Sequence, residues 1–224
     1  MERRARDVPG KIKVRRGPKK GRYDRATIDS VLDGGLLAHV AFVDESAPVC
    51  IPMLYARIGD RIYIHGSTKS RMIRALAAGA QACVTVTVVH GLVLARSAFE
   101  HSANYGSAIA FGTFTLVEDP EERMRAFEAF TEKLLPGRWD EVRQPNAKEL
   151  KATEILAMEI EEASAKLRTG PPEDDDSPDA DLDTWAGVLP IVRSYGAPDP
   201  SPGLRPSIEL SESVRRLLTR DPPG

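Results

Sequence analysis

Within seven positions the chain sets a histidine, two serines, a threonine, a lysine and an arginine: His65, Ser67, Thr68, Lys69, Ser70 and Arg71. Hydroxyls and cations gathered in a turn are the components of an anion site, because each donates a hydrogen bond and the cations add charge. A phosphate is the anion that uses several such donors at once. The residues before the turn alternate, Ile62 and Ile64 on one side, Tyr63 and His65 on the other, as in a strand. After it, Met72, Ile73, Leu76 and Ala80 recur at helical spacing, which predicts a helix over 68–79. The first N–H groups of a helix lack internal partners and carry the positive end of its dipole, so the order strand, turn, helix favours an anion there. A helix cap from Ser67 or Thr68, with solvated cations, accounts for the same residues. His65 has the type and place to donate to an anionic substrate or pass a proton near neutral pH. A half-buried strand histidine bonded to backbone is the alternative.

Other chemistries find less support. His39, His65, His90, His101, Cys50 and Cys83 never fall at metal-ligand spacing, so no metal site is expected. A G-x-S-x-G elbow, a Walker loop and a G-x-G-x-x-G fingerprint are all missing, which lowers hydrolase, NTPase and Rossmann readings. Arg96, Ser97, His101, Ser102, Asn104 and Tyr105 form a polar cluster after a core strand, a common place for a site and also for a plain surface connection. Trp185 could stack on a planar ring or plug the edge of the core.

The elements that must position these residues can be read from the hydropathy pattern. Asp24 caps a predicted helix with Ile28, Val31 and Leu32 on one face, ended by Gly34 and Gly35. Strands follow at 36–43 and 49–58, and Gly59-Asp60 makes a hairpin into the strand at 61–65. Pro52 marks its strand as an edge or a bulge, since proline gives the ladder no donor. A long Val- and Thr-rich strand over 81–96 bends at His90-Gly91, and another strand ends the stretch 97–118. Asp119, Pro120 and Glu122 start a helix whose buried face is Met124, Phe127, Phe130 and Leu134. A short polar helix at 146–152 precedes a strand at 153–160. Hairpin-linked strands with a few outer helices predict an α+β, mainly β fold built on an antiparallel barrel.

The 224 residues, 42% of them apolar, suit one domain with appended tails, and a formal net charge of −2 gives no global bias toward nucleic acid or membrane. The charge is segregated. Residues 1–22 hold ten Lys or Arg against Glu2 and Asp7 and are expected to be a flexible basic arm. Residues 173–183 hold seven carboxylates and no cation, an expected solvated linker within 171–192 that leads to the apolar stretch 184–192. Ten of the seventeen prolines lie beyond residue 169, so 193–224 is expected to be an irregular Pro-rich tail. Both cysteines sit in apolar runs and suit buried thiols, with a disulfide left open. No apolar run reaches membrane-spanning length, and a cytoplasmic location is the expectation.

Three stretches, RIYIHGSTKSRMIRAL, CVTVTVVHGLVLARSAFEHSANYGSAIAFG and SAKLRTGPPEDDDSPDADLDTWAGVLPI, resemble the pyridoxamine 5'-phosphate oxidase-related, FMN-binding split-barrel proteins. The branch most similar is the flavin-nucleotide-binding group that includes the nitroimidazole-resistance proteins. The resemblance runs over about residues 22–192 and places an FMN-binding domain at 23–170. It implies a six-stranded antiparallel split barrel, a homodimer with FMN in clefts between subunits, and an FMN-dependent oxidoreductase acting on a small molecule. By the same resemblance Ser67, Thr68, Lys69, Ser70 and Arg71 hold the phosphate, and Ile51, Pro52 and Met53 back the flavin ring. Thr85, Val86 and Thr87 line the floor, His65 lies near the ring as the catalytic candidate, and Trp185 covers it. A flavin, deazaflavin or haem protein without turnover is the alternative. Two departures stand out: Met72 where relatives carry a lysine, and Gly106 where the pattern Asn-Tyr-Arg-Ser has its arginine.

Overall fold

The computed structural model describes residues 9–219. Expectations for residues 1–8 and 220–224 lie outside the described residues. Asp24 accepts from the Thr27 N–H and starts α1 (Arg25–Gly34), which buries Ile28, Val31 and Leu32. The chain then passes so close to the barrel that a Cβ on Gly35 would fall 2.1 Å from Val86 Cγ1, so only glycine fits there.

β2 (Leu37–Asp44) and β3 (Ala47–Leu54) form the first hairpin. Periodicity had suggested one strand through residue 58, but the chain breaks at Tyr55. β3 stays in one sheet and β4 (Ala56–Ile58) enters another. Tyr55 is fully buried, and its hydroxyl bonds the Leu32 carbonyl and, at 3.2 Å, that of Gly35. Burial raises the pKa of this phenol, so it stays a protonated donor at the corner.

The larger sheet runs β1 (Gly21–Arg22), β10 (Glu162–Arg168), β7 (Ser102–Thr113), β6 (Gln81–Leu94), β2, β3, with β11 (Gly187–Pro190) added on β6. The smaller sheet runs β4, β5 (Arg61–Ser67), β9 (Thr153–Glu159), β8 (Thr115–Leu116). Every pairing is antiparallel. The two sheets enclose the main core, in which Val40, Ile62, Ile64, Val84, Val86, Phe114 and Leu156 meet α1 and α2 (Arg71–Ala77). A second core, with Tyr63, Phe130 and Ile155, lies between the smaller sheet and α3 (Pro120–Leu134). The smaller sheet is thus covered on both faces, which explains the unbroken apolar run Ile155–Met158. An α+β, mainly β split barrel with peripheral helices is what the chain forms.

Several local expectations change. From residue 9 the basic arm lies on the barrel: Ile12 is buried, Lys11 Nζ meets Glu162 at 2.8 Å, and β1 pairs with β10. The acidic run is tied down as well. Asp174 is wholly buried and accepts from the Arg96 backbone N–H and guanidinium at 2.7 and 3.0 Å. Leu134, expected on the buried face of α3, is half exposed because the helix ends beyond the sheet. The proline-rich tail contains α5 (Glu212–Thr219), whose Ser213 N–H donates to Glu141 at 2.8 Å. That contact, with the Ser213 hydroxyl, holds the Glu141 carboxyl down at about 2. Cys50 and Cys83 are both free thiols. They flank Ala41 on adjacent strands, two strand spacings or ~9.5 Å apart, which is too far for a disulfide.

Candidate cofactor site

The turn after β5 is more self-contained than its sequence suggested. Thr68 N–H donates to the Ala152 carbonyl at 3.2 Å, Lys69 N–H to Ser67 Oγ at 3.2 Å, and Ser70 N–H to the Ser67 carbonyl at 2.9 Å. The cap of α2 is Ser70, bonded to the Ile73 N–H, rather than Ser67 or Thr68, and the helix runs 71–77 instead of 68–79. Three backbone donors counted toward an anion are therefore committed within the protein. What faces outward is side chain: the Lys69 ammonium, exposed, and the Arg71 guanidinium, whose Nε pairs with Asp44 Oδ2 at 2.9 Å. That ion pair fixes the turn beside the far end of β2, next to β3.

β3 is an edge strand, so one side of its backbone is unpaired, and Pro52 sits in it as proline must. Strand alternation divides the residues expected around a ring. Ile51 and Met53 pack against the main core, and Val86 is completely buried in it. Ile51 and Met53 stay partly exposed, so of the three only Val86 withholds its whole side chain from a ligand lying on the sheet. Pro52, Thr85 and Thr87 point to the outer face, where the register sets Pro52, His39, Thr85, Ile109 and Ser164 in one row across five strands.

His65 is on the other face of the smaller sheet, beneath α3. Its ring lies 4.5 Å from that of Phe130 and 6.4 Å from that of Phe127. Its Nδ1 is buried with no hydrogen-bond partner, and burial lowers its pKa, so the imidazole is neutral. The aromatic packing is provided by the α3 stripe at 127 and 130. Trp185 is two-thirds exposed and rests against Gly187 at the start of β11, leaving one ring face open.

The polar cluster after β6 is structural in large part. Asn104 is buried, accepting from Arg168 at 2.6 Å and donating to the Gly170 carbonyl at 3.1 Å, while His101 Nδ1 is 2.8 Å from the Ser97 carbonyl. Tyr105 instead borders a groove that residue periodicity did not reveal. The groove has a volume of about 500 Å³ and lies between α1 and the ends of β6, β7 and β10. Ala26, Ser30, Val31, Val88, Leu167 and His90 are among its lining residues. Its one sequence signal was the expected bend at His90-Gly91.

Residues 24–167 match the family model described as pyridoxamine 5'-phosphate oxidase. The flavocytochrome Anf3 from Azotobacter vinelandii superposes with a TM-score of 0.85 at 36% identity, over 93% of this chain and 97% of that one. An FAD- and haem-binding protein from Mycobacterium smegmatis gives 0.83 at 42% identity, over 88% of this chain and 97% of that one. A candidate 5-nitroimidazole antibiotic resistance protein from Bacteroides thetaiotaomicron, at 19% identity and 0.57 over 65% of this chain and 85% of its own, shares the fold. No curated protein matches the chain. With the barrel, its edge strand and the match over 24–167 together, the chain belongs to the pyridoxamine 5'-phosphate oxidase-like family of flavin-binding split barrels.

Proposed function

We propose that this protein is a flavocytochrome, binding FAD and a haem rather than FMN alone. The observation that carries the reading is its 36% and 42% identity, over nearly the whole of each chain, to two proteins described by such cofactors. The donor set is consistent with a flavin nucleotide. Lys69, Arg71 and the hydroxyls of Ser67, Thr68 and Ser70 would hold phosphate through side chains, since the turn's own amides are used. The unpaired edge of β3 at Ile51, Pro52 and Met53 would back the ring. Thr85 and Thr87, with the backbone of Val86, would floor it, and the open face of Trp185 from a second copy in a homodimer would cover it.

A bound flavin supplies hydride or single-electron transfer, and a haem supplies one-electron chemistry. The chain's own residues bind, orient and exclude water. A small-molecule oxidoreductase with His65 as its proton-handling residue is the reading the family pattern suggested. The structure leaves that ring neutral and packed on two phenylalanines, which favours electron transfer without a protein acid at this position.

The test is an absorption spectrum of the purified protein after separate additions of FAD, FMN and haemin, with the excess removed. Retention of FAD and a haem Soret band is expected. Protein that retains no FAD, or that retains FAD but no haem, overturns the reading. Replacing Lys69 and Arg71 together by alanine should weaken flavin binding by roughly 1.5–3 kcal/mol per lost charge-assisted bond. Unchanged affinity would remove the phosphate assignment.

A further inference from the structure

Resting on the flavocytochrome reading, we propose that the haem sits in the groove beside α1 and that His90 Nε2 is its axial ligand. His90 occupies a β-bulge. The register of β6 against β7 shifts between Val89 and Gly91, leaving His90 as the extra residue with no partner across the strand. Bulges re-aim a side chain that regular alternation would point elsewhere. This one is pinned from behind, since the His90 carbonyl accepts from the Ile191 N–H at 2.9 Å where β11 ends. The ring is thus delivered from a fixed backbone, and among the described residues neither of its nitrogens is hydrogen-bonded.

The space in front of the ring is shaped by absent side chains. Gly106 on β7 has no Cβ; one added there would stand 3.2 Å from Val31 Cγ2 and from Leu167 Cδ2, and 3.7 Å from His90 Nε2. Nε2, the nitrogen that commonly ligates iron, therefore stands beside the bare backbone of Gly106 in the groove's wall. The α1 wall is made of small residues, Ala26, Thr27, Ser30 and Gly34, while Val31, Val88 and Leu167 make the floor apolar. About 500 Å³ of mainly apolar space with one imidazole is the size and chemistry of a cofactor cleft.

The remaining histidines are placed less well. His65 faces the phenylalanines of α3, His101 bonds the Ser97 carbonyl, and His39 stands on the outer sheet face between Pro52 and Thr85. The groove also lies away from the phosphate turn. From Ala82, near the turn, to His90 is eight residues of strand, or ~26 Å, so flavin phosphate and haem would not compete.

The experiment is a haemin titration followed by the Soret band and by electron paramagnetic resonance of the ferric form. Wild type is compared with His90→Ala, His39→Ala and His65→Ala, each checked by circular dichroism. His90→Ala should lose at least about 10–100-fold in haem affinity, with free imidazole restoring the wild-type spectrum. The other two variants should keep it. Wild-type affinity and spectrum in His90→Ala, or their loss in His39→Ala or His65→Ala instead, would overturn the assignment and leave the flavocytochrome reading standing. A wild-type protein that takes up FAD but no haem would overturn both.

Discussion

His65 and His90 are both strand histidines beside a helix, yet one is sealed and the other open. Over His65, α3 lays Phe127 and Phe130, and the imidazole becomes part of a core, with an unpaired nitrogen and a lowered pKa. Beside His90, α1 offers Ala26, Ser30 and Gly34, and a groove remains. The two residues are equal in chemistry. What separates them is the bulk on the helix opposite and, for His90, a bulge that turns the ring out of register. A ligand site in this fold is made where a helix fails to fill the space over a strand.

The strongest way to break the contrast is to empty the α3 side. Phe130→Ala should cost about 3–5 kcal/mol in urea unfolding, as large-to-small core changes do. The surviving folded protein should show the His65 resonance titrating closer to ~6.5. An unchanged titration would mean that Phe130 is not what desolvates the ring. Closing the α1 side is the converse. Ser30→Leu fills the groove from an exposed helix position and should weaken haem uptake about tenfold, which is about 1.4 kcal/mol, while the melting temperature holds. Unimpaired uptake would place the haem elsewhere.

Smaller effects sharpen the same comparison. Asp24→Ala removes the cap of α1, one wall of the groove, and should cost ~1 kcal/mol of stability. Melting at the wild-type temperature would show that packing alone holds that end. The pH dependence of His65 is smaller still. Because its folded pKa lies below the ordinary 6.5, the unfolded chain takes up the proton first. Its contribution is fully present above that value and is lost as pH falls through it toward the folded pKa. His65→Gln should flatten stability between pH 7 and 5; an identical slope in the variant would assign the dependence to other groups.

Signals that act over a few residues were legible. Asp24, Asp119 with Pro120, and the hairpin at Gly59-Asp60 behave as their types predict, since a cap or a turn is satisfied within about four residues. Pro52 correctly marked an edge. β10 escaped notice because its inward residues Ala163 and Ala165 are small and weak strand formers, buried by the packing of α1 rather than by their own bulk. The break at Tyr55 was equally hidden. It depends on carbonyls 20 and 23 residues away. Of the turn residues proposed for phosphate, the side chains kept their promise of charge, but the amides proved committed to Ala152 and Ser67, a partnership no local pattern announces.

By itself, then, the sequence determined most of the strands, the starts of α1 and α3, and the collection of hydroxyls and cations at 67–71. Those follow from alternation, capping and residue type, all properties of neighbours along the chain. Which face of each strand would be covered, and by what, was decided only by the tertiary structure. Ile51, Met53 and Val86 went to the core while Pro52, Thr85 and Thr87 stayed outside. His65 received two phenylalanines from a helix some sixty residues away, and His90 received bare glycine and a groove. Burial is a relation between segments distant in sequence, and a single chain read along its length carries the period of each segment but not the identity of its cover.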